Sequence, residues 1–216
     1  MSPSRAIGSW ALAWALVAVP LPGLTHGGIE GRVSLAIEGL SLADVGPIVV
    51  YLEPAAELAS RVPAARGTRT IRQRNAHFAP GFLAVAAGQT VDMPNDDDIY
   101  HNVFSYSKGN AFDLGLYAAG TSRRVTFENP GAIKIYCSIH ESMNATVFVA
   151  PTAHFALVGA DGRFRLRDVP AGRWRLRSWC ERLPESAREL VVEDGRVTRV
   201  EAALGVSPLE STSSRP

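Results

Sequence analysis

The sequence predicts an all-β fold containing two small β-sandwiches. Short apolar runs recur between turns that are rich in Gly, Pro and Asp, and the chain contains 19 Gly and 14 Pro. Apolar and polar residues alternate within several of these runs, a pattern typical of half-buried strands. Hydrophobic residues make up 46% of the chain and charged residues 20%, so a core can be buried.

The first strands come before residue 55. From Gly28, apolar residues alternate with Glu30, Arg32 and Ser34, which predicts a strand with one buried face. Residues 47–52 predict a second strand, which is more deeply buried. An Ala-rich segment with dispersed Arg residues, 54–67, follows and is interpreted as a solvated linker.

Strand patterns are dense between residues 68 and 150. The predicted strands lie at residues 82–86, 90–93, 102–105, 124–127, 133–136 and 145–149. Residues 95–98, Asn-Asp-Asp-Asp, form an acidic connection that lacks the spaced oxygen ligands of a calcium loop.

A second set of strands is predicted over residues 154–204. Phe164 and Leu166 alternate with Arg residues, as do Trp174 and Leu176. The dipeptide Asp194-Gly195 predicts a two-residue hairpin between strands at 190–193 and 196–200. Residues 206–216 are rich in Ser and Pro and are predicted to be disordered.

The N-terminus has the features of an export signal over residues 1–25. Arg5 is its only charge, and an apolar run extends from Ala6 to about Leu21. Gly23 and Thr25 form a small-residue cleavage site before His26. The run is short for a membrane span, which needs about 20 apolar residues. We therefore expect a periplasmic protein with no span after cleavage.

The charge balance argues against nucleic-acid binding. The chain has 22 basic and 21 acidic residues, and loss of the signal removes Arg5 and no acid, leaving 21 of each. A neutral mature chain has no basic stripe for a phosphate backbone.

One short segment carries the recognisable chemistry. Cys137, His140 and Met143 lie within seven residues, between two predicted strands. A tight loop at one end of a sandwich would therefore present a thiolate, an imidazole and a thioether together. Soft sulfur ligands with imidazole select copper over magnesium or calcium. Two His, one Cys and a distant axial Met form the site of blue-copper electron-transfer proteins.

The second imidazole must come from upstream. His101 fits because it opens a predicted strand directly after a turn. His77, His154 and His26 are interpreted as surface residues. The competing interpretation is a Cys137–Cys180 disulfide, which is the default for two cysteines in an exported protein. A disulfide would leave the spacing of His140 and Met143 after Cys137 unexplained. If no disulfide forms, Cys180 is expected to be a small buried hydrophobic residue.

Residues 68–150 resemble a cupredoxin of the plastocyanin and amicyanin kind, a Greek-key sandwich. The resemblance rests on Phe78-Ala79-Pro80, Gly88-Gln89-Thr90-Val91, Pro94-Asn95, His101-Asn102-Val103 and the Cys137-x-x-His140-x-x-Met143 loop. The loop has amicyanin's short spacing. Residues 112–117 also resemble cupredoxin-like proteins associated with methylamine utilisation. The chain departs at Ile139, where plastocyanin and amicyanin carry Pro.

The resemblance implies a metal site of His101, Cys137, His140 and Met143 holding one type 1 copper ion. It implies that the Asn102 amide bonds the backbone near Ser138, and that His140 lies nearest the surface as the electron port. The expected function is one-electron transfer. Copper storage, delivery or sensing without redox partners is the alternative. We expect no enzyme activity, because multicopper enzymes flank the type 1 Cys with His, whereas Tyr136 and Ser138 flank Cys137.

The remaining strands resemble a carboxypeptidase-regulatory or transthyretin-like sandwich. The similar stretches are Gly31-Arg32-Val33, residues 49–52, Asp161-Gly162-Arg163-Phe164 and residues 169–174. Because the cupredoxin-like region separates them, we expect a discontinuous sandwich of residues 28–55 and 152–205, with residues 68–150 inserted. A serial arrangement stays open.

The expected partner is a redox protein that docks near His140. Glu141 is the only charged residue in the loop and is the candidate for orienting a basic partner. We expect a monomer. A third interpretation, a protein-binding surface module without metal, predicts the Cys137–Cys180 bridge instead.

Overall fold

The computed structural model describes residues 25–205, which form an all-β fold as predicted. Two short helical turns, Leu42–Val45 and Ala56–Ala59, are its helical elements. The strands, in chain order, are β1 His26–Leu35, β2 Val49–Pro54, β3 Thr68–Thr70, β4 Arg72–Arg74, β5 His77–Ala79, β6 Phe82–Ala86, β7 Gln89–Pro94, β8 His101–Ser105, β9 Phe112–Tyr117, β10 Ser122–Phe127, β11 Gly131–Tyr136, β12 Asn144–Ala150, β13 Phe155–Leu157, β14 Arg163–Pro170, β15 Gly172–Cys180, β16 Leu183–Val192 and β17 Val197–Leu204.

The strands form two pairs of sheets and one separate hairpin. The terminal pair, from both ends of the described chain, consists of the sheets β14-β1-β17 and β13-β2-β15-β16. The central pair consists of the sheets β6-β12-β11-β8-β9 and β10-β7-β3. Strands β4 and β5 pair with each other.

Three apolar layers hold the sheets together. Between the terminal sheets lies a core that contains Ile29, Leu52 and Trp174. Between the central sheets lies a second core, around Ile133 and Ile135. The third joins the two pairs through one face of β2 and β15 and one face of β6 and β12; it contains Val49, Tyr51, Ala84, Phe148, Ala150 and Trp179.

This layering explains why β2 and β12 are apolar on both faces. Successive side chains on a strand point to opposite sides. In β12, Val147 and Val149 therefore enter the central core, while Phe148 and Ala150 pack against the terminal sheets. Strand β2 divides its residues in the same way, with Leu52 in the terminal core and Tyr51 between the pairs.

The chain leaves the terminal sheets after β2 and returns to them at β13. These two strands are hydrogen-bonded neighbours, with Phe155 opposite Tyr51 in an antiparallel register. Strands β3–β12 thus lie, in sequence, between two adjacent strands of one sheet.

One predicted local pairing is wrong. The Asp194-Gly195 turn forms, with the Arg196 N–H donating to the Glu193 carbonyl at 3.3 Å. The strands on either side of it do not pair as a hairpin, however. Strand β16 pairs with β15, whereas β17 runs parallel to β1 in the facing sheet. The turn passes from one layer to the other because the apolar faces of β16 and β17 both close the terminal core.

Several elements lie outside the sequence predictions. The structure adds the short strands β3, β4 and β5 and the edge strand β9. No helix within residues 25–205 is long and apolar enough to cross a membrane. The predicted signal peptide, apart from Thr25, and the predicted tail at 206–216 fall outside the described residues.

The layer between the sheet pairs provides a stability test. The Phe148 ring lies 5.4 Å from that of Tyr51 and 4.6 Å from that of Trp179. Replacing Phe148 by Ala should lower the free energy of unfolding by about 3 kcal/mol, because the buried ring is removed from the apolar layer and a cavity is left in its place. Denaturant titration measures this change. Leu157→Ala, at a side chain that is 54% exposed, is the control and should change it by under about 0.5 kcal/mol. Equal effects would contradict the packing role.

Candidate metal centre

The loop between β11 and β12 is closed by its own backbone. The Cys137 N–H donates to the Met143 carbonyl at 3.1 Å, and the Met143 N–H donates to the His140 carbonyl at 2.9 Å. Tyr136 and Asn144 form the last strand pair beneath the loop. Both ends of the loop are therefore held by strands, and its own backbone hydrogen bonds close it.

Strand periodicity turns the Cys137 thiol inward. Ile133, Ile135 and Cys137 alternate with exposed or half-exposed residues, and all three belong to the central core. The thiol is 5% exposed and His101, at the start of β8, is fully buried, whereas His140 is only half-buried. The cluster thus lies at one end of the core and reaches solvent on the His140 side.

Three donor atoms converge there. The Cys137 Sγ lies 3.8 Å from the His101 Nδ1 and 3.9 Å from the His140 Nδ1. The three ligating atoms all lie within 4.8 Å of one another, and the two imidazole centroids are 5.0 Å apart. Within residues 25–205, this is the one cluster of at least three His, Cys or acidic side chains with such spacing.

Asp97 selects which ring nitrogen of His101 donates a hydrogen bond. The His101 Nε2 lies 2.8 Å from the Asp97 Oδ2. Because a carboxylate only accepts hydrogen bonds, the proton of the neutral ring lies on Nε2 and the Nδ1 lone pair faces Cys137. A carboxylate behind a histidine fixes ring orientation and raises its basicity as a ligand.

Asp97 is itself held by the β4–β5 turn. It accepts hydrogen bonds from the N–H groups of Asn75 and Ala76, the second at 2.9 Å. Burial raises the pKa of Asp97, but the bonds from Ala76, His101 and Asn75 outweigh that effect and hold this pKa below its usual value. Both turn residues have left-handed backbones, with φ of 53° and 54°. The turn thus offers two adjacent N–H groups to one carboxylate.

A buried polar network braces the same segment. The Asn95 amide donates to the Ile99 carbonyl at 2.8 Å and to the Tyr117 carbonyl at 3.2 Å, and its oxygen accepts from the Asp97 N–H. The Tyr117 hydroxyl donates to the Met93 carbonyl and accepts from Gln73. Burial raises the pKa of Tyr117 to about 12, so the phenol remains a neutral donor.

The predicted contact of Asn102 is confirmed. The Ser138 N–H donates to the Asn102 Oδ1 at 2.8 Å, which joins the start of β8 to the ligand loop directly after Cys137. Met143 is fully buried in the same apolar core as Cys137.

The alternative histidines lie apart from the donor cluster. His77 is exposed and bonds the Asn75 carbonyl, His154 packs against Trp174, and His26 opens β1. Both cysteines are free thiols, and Cys180 lies in the terminal core as the small buried hydrophobe that we predicted. Asp97 lies outside the sequence predictions, which compare residues 95–98 only with a calcium loop. An acid four residues before a candidate ligand histidine was the available sign.

The residues present fit a thiophilic metal ion. Bonds of the lengths that zinc forms, about 2.0 Å to nitrogen and 2.3 Å to sulfur, would place the nitrogen and sulfur atoms about 3.7 Å apart at an angle of roughly 120°. The observed separations are 3.8 and 3.9 Å. One cysteine sulfur and two imidazole nitrogens suit copper, which binds such donors more tightly than other divalent first-row metals.

Comparisons with known proteins give partial likeness to cupredoxins. No protein-family model matches the chain, and no curated protein matches it. A purple cupredoxin from Nitrosopumilus maritimus is 26% identical to this chain, with a TM-score of 0.35. The match covers 38% of this chain and 99% of that cupredoxin. Amicyanin from Paracoccus versutus is 24% identical, with coverages of 45% and 96% and a TM-score of 0.36. A copper-containing nitrite reductase from Thermus scotoductus is 26% identical over 42% of this chain, with a TM-score of 0.37, but only 26% of the reductase is matched.

The role of Asp97 can be tested at the metal. Asp97→Ala removes the acceptor of the His101 proton, so the ring loses its fixed orientation. We expect copper affinity to fall roughly 10–100-fold, measured by competition with a chromophoric chelator. Asp96→Ala removes a neighbouring acid that pairs with Arg72 at the surface, and it should leave the affinity unchanged. Unchanged affinity in the Asp97 variant would refute the positioning role.

Proposed function

We propose that this chain binds one copper ion in a type 1 site and carries single electrons. The observation that carries the proposal is the buried Cys137 Sγ, placed between the Nδ1 atoms of His101 and His140 at 3.8 and 3.9 Å. These three residues would hold the ion together with Met143, which is buried in the same core as Cys137. When bound, copper supplies a centre that alternates between two oxidation states.

The chain's own contribution is a ligand set that need not move. His101 is oriented by Asp97, and the loop is held by the Cys137–Met143 backbone bond and by Asn102. None of these hydrogen bonds requires the ion. Burial in an apolar core also keeps bulk water away from the thiolate, which protects it from oxidation.

His140 offers a route to the surface. It is half-buried, whereas His101 and Cys137 are buried. Exposed apolar residues flank this end of the molecule: Ile99 and Tyr100 directly precede His101, Leu116 lies opposite Asn102, and Ile139 precedes His140. An apolar surface beside a ligand edge suits brief, small encounters with a redox partner.

Three further parts of the proposal rest on sequence. We propose an exported, periplasmic carrier, because residues 1–25 have the features of an export signal. We propose that it is not an enzyme, because Tyr136 and Ser138, and not His, flank Cys137. We also propose that residues 68–150 are inserted into a sandwich of 28–55 and 152–205, which the pairing of β2 with β13 supports. The resemblance of the terminal sheets to carboxypeptidase-regulatory or transthyretin-like sandwiches stays a prediction.

The optical spectrum tests the copper site. The mature chain loaded with Cu(II) should hold one copper and turn intensely blue, through charge transfer from the Cys137 thiolate. Cys137→Ser should abolish the colour while the chain stays folded by circular dichroism. Cys180→Ser is the matched control, since this thiol lies in the terminal core, and it should stay blue. A colourless loaded protein, or one with a Cys137–Cys180 bridge, would refute the site.

Electron exchange tests the port. Glu141→Lys reverses an exposed charge beside His140, so reduction by the cation hexaammineruthenium(II) should slow several-fold at low salt. Oxidation by the anion hexacyanoferrate(III) should accelerate. Both effects should fade as ionic strength rises, and the spectrum should not change.

The control for that experiment is Asp194→Lys, the same charge reversal in the turn between β16 and β17. It should alter neither rate by more than about twofold at low salt, because the turn belongs to the terminal sheets and the Coulomb energy of a charge falls with its distance from His140. If Glu141→Lys and Asp194→Lys behave alike, electrons do not pass at His140. Copper storage or delivery would then be the better account.

A further inference from the structure

We propose that Asp113 is a positioning residue that fixes the orientation of the Asn102 amide, and through it the Ser138 N–H beside Cys137. The hydrogen bonds of this arrangement join protein groups only, so they can be tested without metal. Their consequence for copper rests on the function proposed above.

The relay consists of three hydrogen bonds. The Ser138 N–H donates to the Asn102 Oδ1 at 2.8 Å, and the Asn102 Nδ2 donates to the Asp113 Oδ1 at 3.1 Å. The same carboxylate oxygen accepts from the Gly115 N–H at 2.8 Å. An exposed acid on β9 therefore reaches a buried amide on β8, which in turn holds the ligand loop.

The orientation of Asn102 matters because its two ends are chemically opposite. The carbonyl oxygen must face the Ser138 N–H. With the amide reversed, an NH2 donor would face a donor, and the backbone N–H would lose its partner. Asn102 is only 5% exposed, so water cannot readily replace that partner. Asp113, which only accepts, favours the same orientation from the other end of the amide.

The backbone of the hairpin brings Asp113 to this position. Asn102 pairs with Leu116 and Phe104 with Asp113, so β9 has one more residue than β8 between these pairs. Gly115 absorbs the bulge with φ of +66°, a conformation that costs Gly little. The extra residue places Asp113 opposite Phe104, so its carboxylate lies diagonally across from Asn102.

The metal-free protein gives the first test, by amide hydrogen exchange at Ser138. In Asp113→Ala, the Asn102 amide loses its orienting acceptor, and Ser138 should exchange roughly two- to tenfold faster. Asp113→Asn keeps an oxygen that accepts from both Asn102 and Gly115, so protection should return to within about twofold of the wild type. Asp98→Ala, an exposed acid at the same end with no hydrogen bond to Asn102 in the described structure, is the control and should not change Ser138.

The copper-loaded protein gives the second test. Asp113→Ala should lower copper affinity about tenfold and shift the charge-transfer band, and Asp113→Asn should restore both. If Asp113 acts through Asn102, the double variant with Asn102→Ala should be no weaker than Asn102→Ala alone.

The outcomes separate the two proposals. Unchanged Ser138 exchange in Asp113→Ala, or equal exchange in the Ala and Asn variants, would overturn the positioning role. Additive losses in the double variant would overturn it as well. Altered exchange in a chain that never becomes blue would instead uphold the relay and refute the copper site.

Discussion

The candidate centre depends on the hydrogen bond from the His101 Nε2 to Asp97. A fully buried imidazole is costly unless its polar atoms have partners. Here one nitrogen is satisfied by a carboxylate, which leaves the lone pair of the other directed at Cys137. The carboxylate is in turn satisfied by two N–H groups of the β4–β5 turn. Hydrogen bonds at the candidate ligand His101 therefore join three segments: the β4–β5 hairpin, the acidic connection at residues 95–98 and strand β8.

Two carboxylates support the two halves of the site in different ways. Asp97 acts directly on a ligand side chain, whereas Asp113 contacts Asn102, which holds the backbone of the ligand loop. Both lie on segments that flank β8. Hydrogen bonds within the protein thus hold the donor atoms in position. Such a fixed arrangement would suit copper, whose preferred geometry differs between its two oxidation states.

The stacking of the sheets leaves this end accessible. The terminal sheets cover the central pair at β6 and β12, where Phe148 and Ala150 are buried. They leave the ligand loop and the neighbouring strand accessible: Ile139 in the loop is 50% exposed, and Leu116 on β9 is 60% exposed. The terminal pair of sheets therefore stabilises one side of the central pair without blocking the approach to His140.

The all-β class and the ligand loop could be predicted from sequence because both are local properties. Alternating polarity over a few residues reports a strand, and Cys137, His140 and Met143 lie close together in any compact loop between two strands. His101 was identifiable as the first residue of a strand after a turn. The buried pattern of β12 likewise follows from its run of apolar residues, although the sequence does not say which layer covers each face.

Other features depend on which distant segments meet, and only the tertiary structure decided them. The Asp194-Gly195 dipeptide is typical of a hairpin turn, yet β17 pairs with β1 and not with β16. Strands β16 and β17 lie in the two sheets that face each other across the terminal core, and both contribute apolar residues to it. Asp97 and Asp113 gain their roles from the β4–β5 turn and from a bulge in β9, neither of which has a distinctive local pattern. Strand pairing and side-chain hydrogen bonds across long sequence separations arise from packing, so the sequence by itself determined the candidate ligands, and the fold decided which residues hold them in place.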